Sequence, residues 1–292
     1  MRIVAAIVRR NLTLFFRDRL NVFFSLLSGL ILFFLYTLFL ARLQVDGLEQ
    51  SLPRASRGEI EAFVDSWMLS GIVLLTTVTS GIGAVSVFVD DRATGRFGDF
   101  LVAPIRRTHL VLGYLISSVT VAVLMSGIIF VLTVLHLGLV RGAWLPPEQI
   151  AAALGAMLLC CAAFTTLGCF GASFLTTTGA YSAFSTVVGT VLGFVAGSYI
   201  PVGSLPETVA DVINALPFAQ GAMLLRRPFT EGTLQAVTGG DTKAVADLSE
   251  FYGIDIAVGA ATVPAWAAVT ILLAVAVVFS AISAGRIRSL LR

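Results

Sequence analysis

The chain has 292 residues, of which 57% are hydrophobic and only 12% are Asp, Glu, Lys or Arg. A soluble domain carries about 25% charged residues, so a soluble fold, a disordered chain and a nucleic-acid-binding protein with a dense basic patch are excluded. The net charge of +2 is a cancellation between two unlike sets of segments, and three Cys make no disulfide framework.

Residues 1–19 are predicted to form an amphipathic helix lying on a membrane surface. Ala5, Val8, Leu12 and Phe15 recur at helical spacing, and the arginines fall mostly off that face. Arg9-Arg10 faintly suggests a twin-arginine export signal. Arg17-Asp18-Arg19 interrupts the apolar run, however, and no small-residue cleavage site follows.

A bilayer span needs about 20 apolar residues. Six stretches meet this: Leu20–Ala41, Trp67–Val89, Val111–Val140, Ile150–Leu175, Tyr181–Ile200 and Val263–Ala284. None contains Asp, Glu, Lys or Arg, because desolvating an unpaired charge there costs several kcal/mol. The third exceeds one span, so its end near His136 emerges or tilts. With six spans, residues 1–19, the 90–110 loop and the C-terminus share one side. They hold 12 basic residues against four acids, whereas the other side holds seven against 13. Basic residues stay in the cytoplasm, so a multi-pass protein of the cytoplasmic membrane with both termini inside is expected.

The connections and spans carry candidate features. Residues 42–66 read as an acidic loop, with Glu59 and Glu61 in a brief helix before Trp67. Trp67 and Trp144 suit interfacial anchors. Ser70, Thr76, Thr77, Thr79 and Ser80 of the second span either line a path for an amphiphile or bond their own backbone. The 90–110 loop reads as a small helix on a hinge that docks a soluble partner, since Phe97, Phe100 and Leu101 need cover. His136, with no acidic neighbour evident, is an interfacial imidazole or a site for substrate or a proton. Cys160, Cys161 and Cys169 act as small apolar residues. Ser185, Gly189, Gly193 and Gly197 form a small-residue ridge, for packing within the chain or for a dimer seam.

Residues 201–262 form the largest external region, cut by Pro201, Pro206, Pro217 and Pro228. Pro206 starts a helix with Val209, Val212, Ile213 and Leu216 on one face. Pro217 ends it, and Phe218–Leu225 makes a second short piece. Neither spans; both dip into the outer leaflet or pack on the bundle. Asp241 can cap a later helix.

The chain has no G-x-x-x-x-G-K-[ST] phosphate loop; its one lysine, Lys243, lies in Gly-Gly-Asp-Thr-Lys-Ala. It is therefore not expected to be an enzyme, to hold a cofactor or metal, or to bind nucleic acid. The six spans also lack an ionisable coupling residue, which argues against an ion-driven carrier.

Three motifs in order resemble the permease subunits of ABC-2 type ATP-driven exporters. In the first, Asp90, Asp91, Arg92, Gly95, Leu101, Pro104, Arg106 and Gly113 fill the pattern after the second span. In the second, Ile200-Pro201, Leu205-Pro206, Leu216-Pro217 and Arg226 fill the pattern before the last. The third is Phe16-Arg17-Asp18-Arg19. Asp91 stands where the family usually has Glu, and Gly98-Asp99 where it has a Glu in the short helix; residues 229–262 have no counterpart. The resemblance covers almost the whole chain. It implies an all-α integral membrane fold: one transmembrane domain over 1–292, a six-helix exporter bundle with an N-terminal amphipathic helix and short outer helices before the last span. It implies a separate ATPase subunit that holds ATP and Mg, a second permease copy or paralogue, and a hydrophobic or amphiphilic substrate, drug or lipid. The coupling surface would comprise Arg17, Asp18, Asp90, Asp91, Arg92, Gly95, Arg96, Phe97, Asp99, Phe100, Leu101, Pro104 and Arg106. Ser70, Thr76, Thr77, Ser80 and His136 remain pathway candidates, and Pro206, Pro217 and Arg226 mark the outer helices. The rival readings are a secondary transporter, a membrane-embedded lipid-modifying enzyme and a non-catalytic anchor.

Overall fold

The structure, a computed structural model, describes residues 2–97, 100, 105–259 and 261–290. Helix α1 (Arg2–Arg17) is followed by α2 (Arg19–Leu35), which runs through a π turn (Tyr36–Leu40) into α3 (Ala41–Ser51). The first span therefore continues as helix beyond Ala41, because nothing breaks the chain before Leu52-Pro53.

Helix α4 (Arg57–Ala93) starts well before Trp67, at a capping box. The Ser56 hydroxyl accepts from the Glu59 amide at 3.3 Å, and the Glu59 carboxylate accepts from the Ser56 amide at 2.8 Å. The acidic loop predicted over 42–66 thus contracts to residues 52–56, and Glu59 and Glu61 belong to the first turns of α4.

Helix α5 (Arg107–Arg141) ends at Gly142, whose φ of +68° is the left-handed cap that glycine adopts without strain. Helix α6 (Pro147–Ala172) carries Pro147 at its start. Helix α7 (Thr178–Val195) is capped by the Thr177 hydroxyl, which accepts from the Ala180 amide at 3.2 Å. Next come α8 (Glu207–Asn214), α9 (Pro217–Thr238) and α10 (Thr242–Phe251), the last capped by Asp241. A hairpin of β1 (Ala257–Val258) and β2 (Ala261–Thr262) leads to α11 (Ala265–Leu290).

Pro228 does not cut the 201–262 region. It sits inside α9, a 22-residue helix where a short piece was predicted. An internal proline costs about 3 kcal/mol in an isolated helix, but α9 is packed against α4, α6 and α11, and that burial outweighs it. Helices α8 and α9 meet at an 85° bend.

Among the described residues six helices are long and apolar enough to cross a membrane, or seven if the bent pair α8 and α9 forms one span, so the protein is an all-α, multi-pass membrane bundle. Helix α4 is its axis: the apolar window of α4 is 78% buried, against 12% for the first span, 17% for α7 and 22% for α11. It packs on α5, α6, α7 and α9. It approaches α6 closely at Gly81, where an added Cβ would lie 2.4 Å from Thr165 Oγ1. The rim helices turn Phe23, Phe39, Val187 and Val277 outward, all more than half exposed. In water such a surface would aggregate; in hydrocarbon it is solvated.

Candidate functional site

A buried knot of polar contacts lies where α1, the end of α4 and the start of α5 meet. Asp91 is 1% exposed. Arg10 donates to both of its oxygens, Nη1 to Oδ2 at 2.7 Å and Nη2 to Oδ1 at 2.9 Å, a fork-to-fork pair. The Tyr114 hydroxyl donates to Oδ2 at 2.5 Å, and Arg96 stands 3.5 Å from Oδ1. Hydrogen bonding to Asp91 raises the Arg10 pKa above its ordinary value, so that charge is fixed. Beside the knot, Asn11 donates to the Ser117 hydroxyl at 3.1 Å.

Helix α1 reaches this position by burying Ile7, Asn11 and Phe15. The predicted face of Ala5, Val8, Leu12 and Phe15 is therefore rotated: Ala5 is exposed, Val8 and Leu12 are half-buried, and the helix lies on α5. A polar residue in the buried stripe requires a partner, so Asn11 was the legible signal of docking. Arg10 and Tyr114 are the site residues that sequence reasoning missed.

Phe97 and Phe100 are half-buried and pack against the knot. Phe97 meets Phe88 and Tyr114 with ring centroids 5.4 and 5.9 Å apart, and Arg10 lies 5.2 Å over the Phe100 ring. Arg92 donates to the carbonyls of Ser173 and Leu175 at 3.2 and 3.0 Å, tying α4 to the turn before α7. Gly95 has φ +74° and turns the chain after α4. Arg17, Asp18, Asp90, Arg96 and Arg106 are exposed. Asp99, Leu101 and Pro104 lie outside the described residues.

The pathway candidates divide. Ser70, Thr76 and Thr77 are buried, each donating to its own helix's backbone at 2.6–2.8 Å. Ser80 Oγ is buried without a hydrogen-bond partner among the described residues. Thr76 nonetheless lines, with Thr79, Thr186 and Thr190, a groove of about 330 Å³ between α2, α4 and α7. A second cavity of about 450 Å³, lined by Ser25, Ser86 and Ser182, shares Thr79, Ser185, Thr186 and Gly189 with it.

The small-residue ridge does not run as one seam. Ser185 and Gly189 face that groove. Gly193 is covered by the Tyr199 ring, and Gly197 lies beyond the helix end at φ +60°.

At the opposite end of the bundle His136 has an acidic partner after all: its Nε2 lies 3.0 Å from Asp65 Oδ2. Arg141 donates through Nε to the same oxygen at 2.5 Å and through Nη1 to Glu61. Asp65 is 2% exposed and lies two residues before the predicted second span. Asp65 is thus a buried acid of α4 that lies outside the apolar stretch, and the six spans themselves carry no Asp, Glu, Lys or Arg. Trp67 is no interfacial anchor: it is buried, and its Nε1 donates to the Tyr252 carbonyl at 2.8 Å. Trp144 is 58% exposed.

Arg226 is 1% exposed, with its guanidinium 5.6 Å over Trp67. It donates to the carbonyls of Ala196, Gly197 and Gly253 at 2.9, 2.7 and 3.3 Å, stitching the end of α7 to the turn after α10. Pro206 and Pro217 precede the first turn of α8 and open α9, respectively.

Comparison with curated proteins finds no match to the chain. The family model described as ABC-2 type transporter matches residues 3–229, from the start of α1 through the knot and the grooves into α9. With its apolar helical bundle and that match over most of its length, the chain belongs to the ABC-2 type transporter family.

Proposed function

We propose that this permease is the membrane subunit of an ATP-driven exporter. It pairs with a second copy or a paralogue, rests on a separate ATPase and moves a drug-like or lipid-like amphiphile out of the cell. ABC-2 permeases generally work with an ABC ATPase. ATP and Mg stay with that subunit, and this chain contributes no catalytic group. We take residues 1–292 as one transmembrane domain in the cytoplasmic membrane, with both termini inside.

The observation that carries the reading is the Asp91 knot. A partner can shift a two-state bundle only through contacts that differ between the states. The knot joins α1, the loop after Ala93 and α5 to the end of α4, the most buried helix. A push on the exposed Arg96, Arg106, Arg17 or Asp18 thus reaches the bundle axis through paired, buried groups rather than through slack loop. The groove lined by Thr76, Thr79, Thr186 and Thr190, beside Ser185 and Gly189, offers an amphiphile hydroxyls along an otherwise apolar wall. Its opening between α2 and α7 also suits closure by a second chain.

The test is purification of the tagged chain from its native membrane, followed by an ATPase assay in proteoliposomes. An ATPase subunit is expected to co-purify. Asp91→Arg with Arg96→Asp is expected to lower substrate-stimulated ATP hydrolysis at least tenfold while the complex still inserts. Unchanged stimulation in that variant removes the knot from the mechanism. Transport that proceeds without ATP and without a co-purifying ATPase removes the exporter reading.

A further inference from the structure

Helix α7 has two unlike faces. Ser182, Ser185, Thr186, Gly189 and Thr190 recur at helical spacing and face the hydroxyl-lined grooves. Phe184, Val187, Val188, Val191 and Leu192 occupy the opposite side. There α7 leans on α4 and has little packing with α6. The two helices diverge and leave a slot of about 380 Å³. Val78 and Ile82 of α4 floor it, with Phe164 and Gly168 of α6 as the far wall and Phe218 of α9 near one end. From Phe184 to Leu192 it runs about 12 Å along α7, at 1.5 Å per residue.

The slot opens past the half-exposed Val187 and Val191 toward the rim of the bundle. What surrounds it there is hydrocarbon, and an empty apolar void would forfeit dispersion contacts along its whole lining. Its other end meets cations. Phe170, which lines the slot, packs on Phe174 at 5.1 Å, and the Arg286 guanidinium lies 3.7 Å over the Phe174 ring. Arg92 holds the turn between α6 and α7 from the other side.

We propose that the slot is a resident lipid site: one acyl chain of an anionic phospholipid lies between α6 and α7 on α4, with its phosphate at Arg286. The lipid is a structural ligand rather than cargo, because α7 separates it from the hydroxyl-lined groove. It wedges α7 away from α6.

The test uses the full chain, delipidated in detergent and then titrated with phosphatidylglycerol and phosphatidylcholine of identical chains, with adducts counted by native mass spectrometry. One tightly held phosphatidylglycerol per chain is expected, preferred at least fivefold over phosphatidylcholine. Val188→Trp, which fills the slot, is expected to lower retention at least fivefold. Val187→Trp, at the exposed mouth and outside the core, is expected to do the same if the deeper variant does not fold. Arg286→Gln is expected to keep the adduct and abolish the headgroup preference. Val277→Trp, on an outward face of α11, is expected to change neither. Equal retention of the two lipids by the unsubstituted chain, or undiminished retention by the slot variants, overturns the proposal. Displacement of the lipid by a transported compound overturns its resident role and leaves the exporter reading standing.

Discussion

Asp91 shows how much a single buried charge depends on which partner it has. Arg10 meets it in a bidentate pair, while Arg96 reaches it at 3.5 Å from a side chain that is 54% exposed. Removing one partner of a buried pair costs several kcal/mol, because the other charge is left uncompensated; an exposed partner contributes at most about 1 kcal/mol. Arg10→Ala is therefore expected to destabilise the protein by about 3 kcal/mol, toward the low end because Arg10 is itself partly exposed. Arg96→Ala is expected to cost under about 1 kcal/mol. Thermal unfolding of both variants in one detergent checks the difference, and equal losses would refute the assigned geometry. Composition shows that an acid ends the second span, but the partner of Asp91 stands 81 residues away. No local pattern selects Arg10 over its neighbour Arg9; the docking of α1 does. His136 and Asp65, 71 residues apart, repeat the lesson at the other end of the bundle.

Among the elements, α1 was visible as an amphipathic helix but not as a docked one. Its seat on α5 exists because position 113 is glycine. An added Cβ there would lie 2.5 Å from Ile7 Cγ2 and 2.8 Å from Ile7 Cβ. Gly113→Ala overpacks this contact and is expected to cost about 1–3 kcal/mol. Ile7→Ala alone opens a cavity, but together with Gly113→Ala it removes the closer contact, with Cγ2, and leaves only the one with Cβ. The double variant is expected to lose less than the sum of the singles by at least about 0.5 kcal/mol. Strict additivity in unfolding measurements would place Ile7 elsewhere. Helix α9 marks where local rules failed, since Pro228 and its polar flank read as a break and packing on three helices overrode them.

For the whole molecule, the arginine distribution argues that the α1 end faces the cytoplasm, and this is testable because the native cysteines are buried. In intact cells an impermeant maleimide is expected to label Glu231→Cys and to leave Gly95→Cys unlabelled until the membrane is opened. The reverse pattern would invert the topology and with it the proposed ATPase face. The buried, paired acids Asp65 and Asp91 flank the uncharged apolar stretch of α4 at its two ends. The bundle thereby carries charge at both ends of its axis without exposing it to lipid.

The sequence by itself determined which stretches leave water, since charge is excluded from hydrocarbon and its absence is countable. It also identified the family through motifs at matching depths. It did not determine which face of each span meets protein. In a bilayer both faces are apolar, so periodicity carries little of the inside-outside signal that a soluble helix shows. Only the packed bundle decided that α4 is the axis, that α1 is clamped through Arg10, that Trp67 is core, and that α7 divides a hydroxyl-lined groove from a hydrocarbon slot. Each of these depends on partners far apart in the chain, joined by helix crossings that no local window contains.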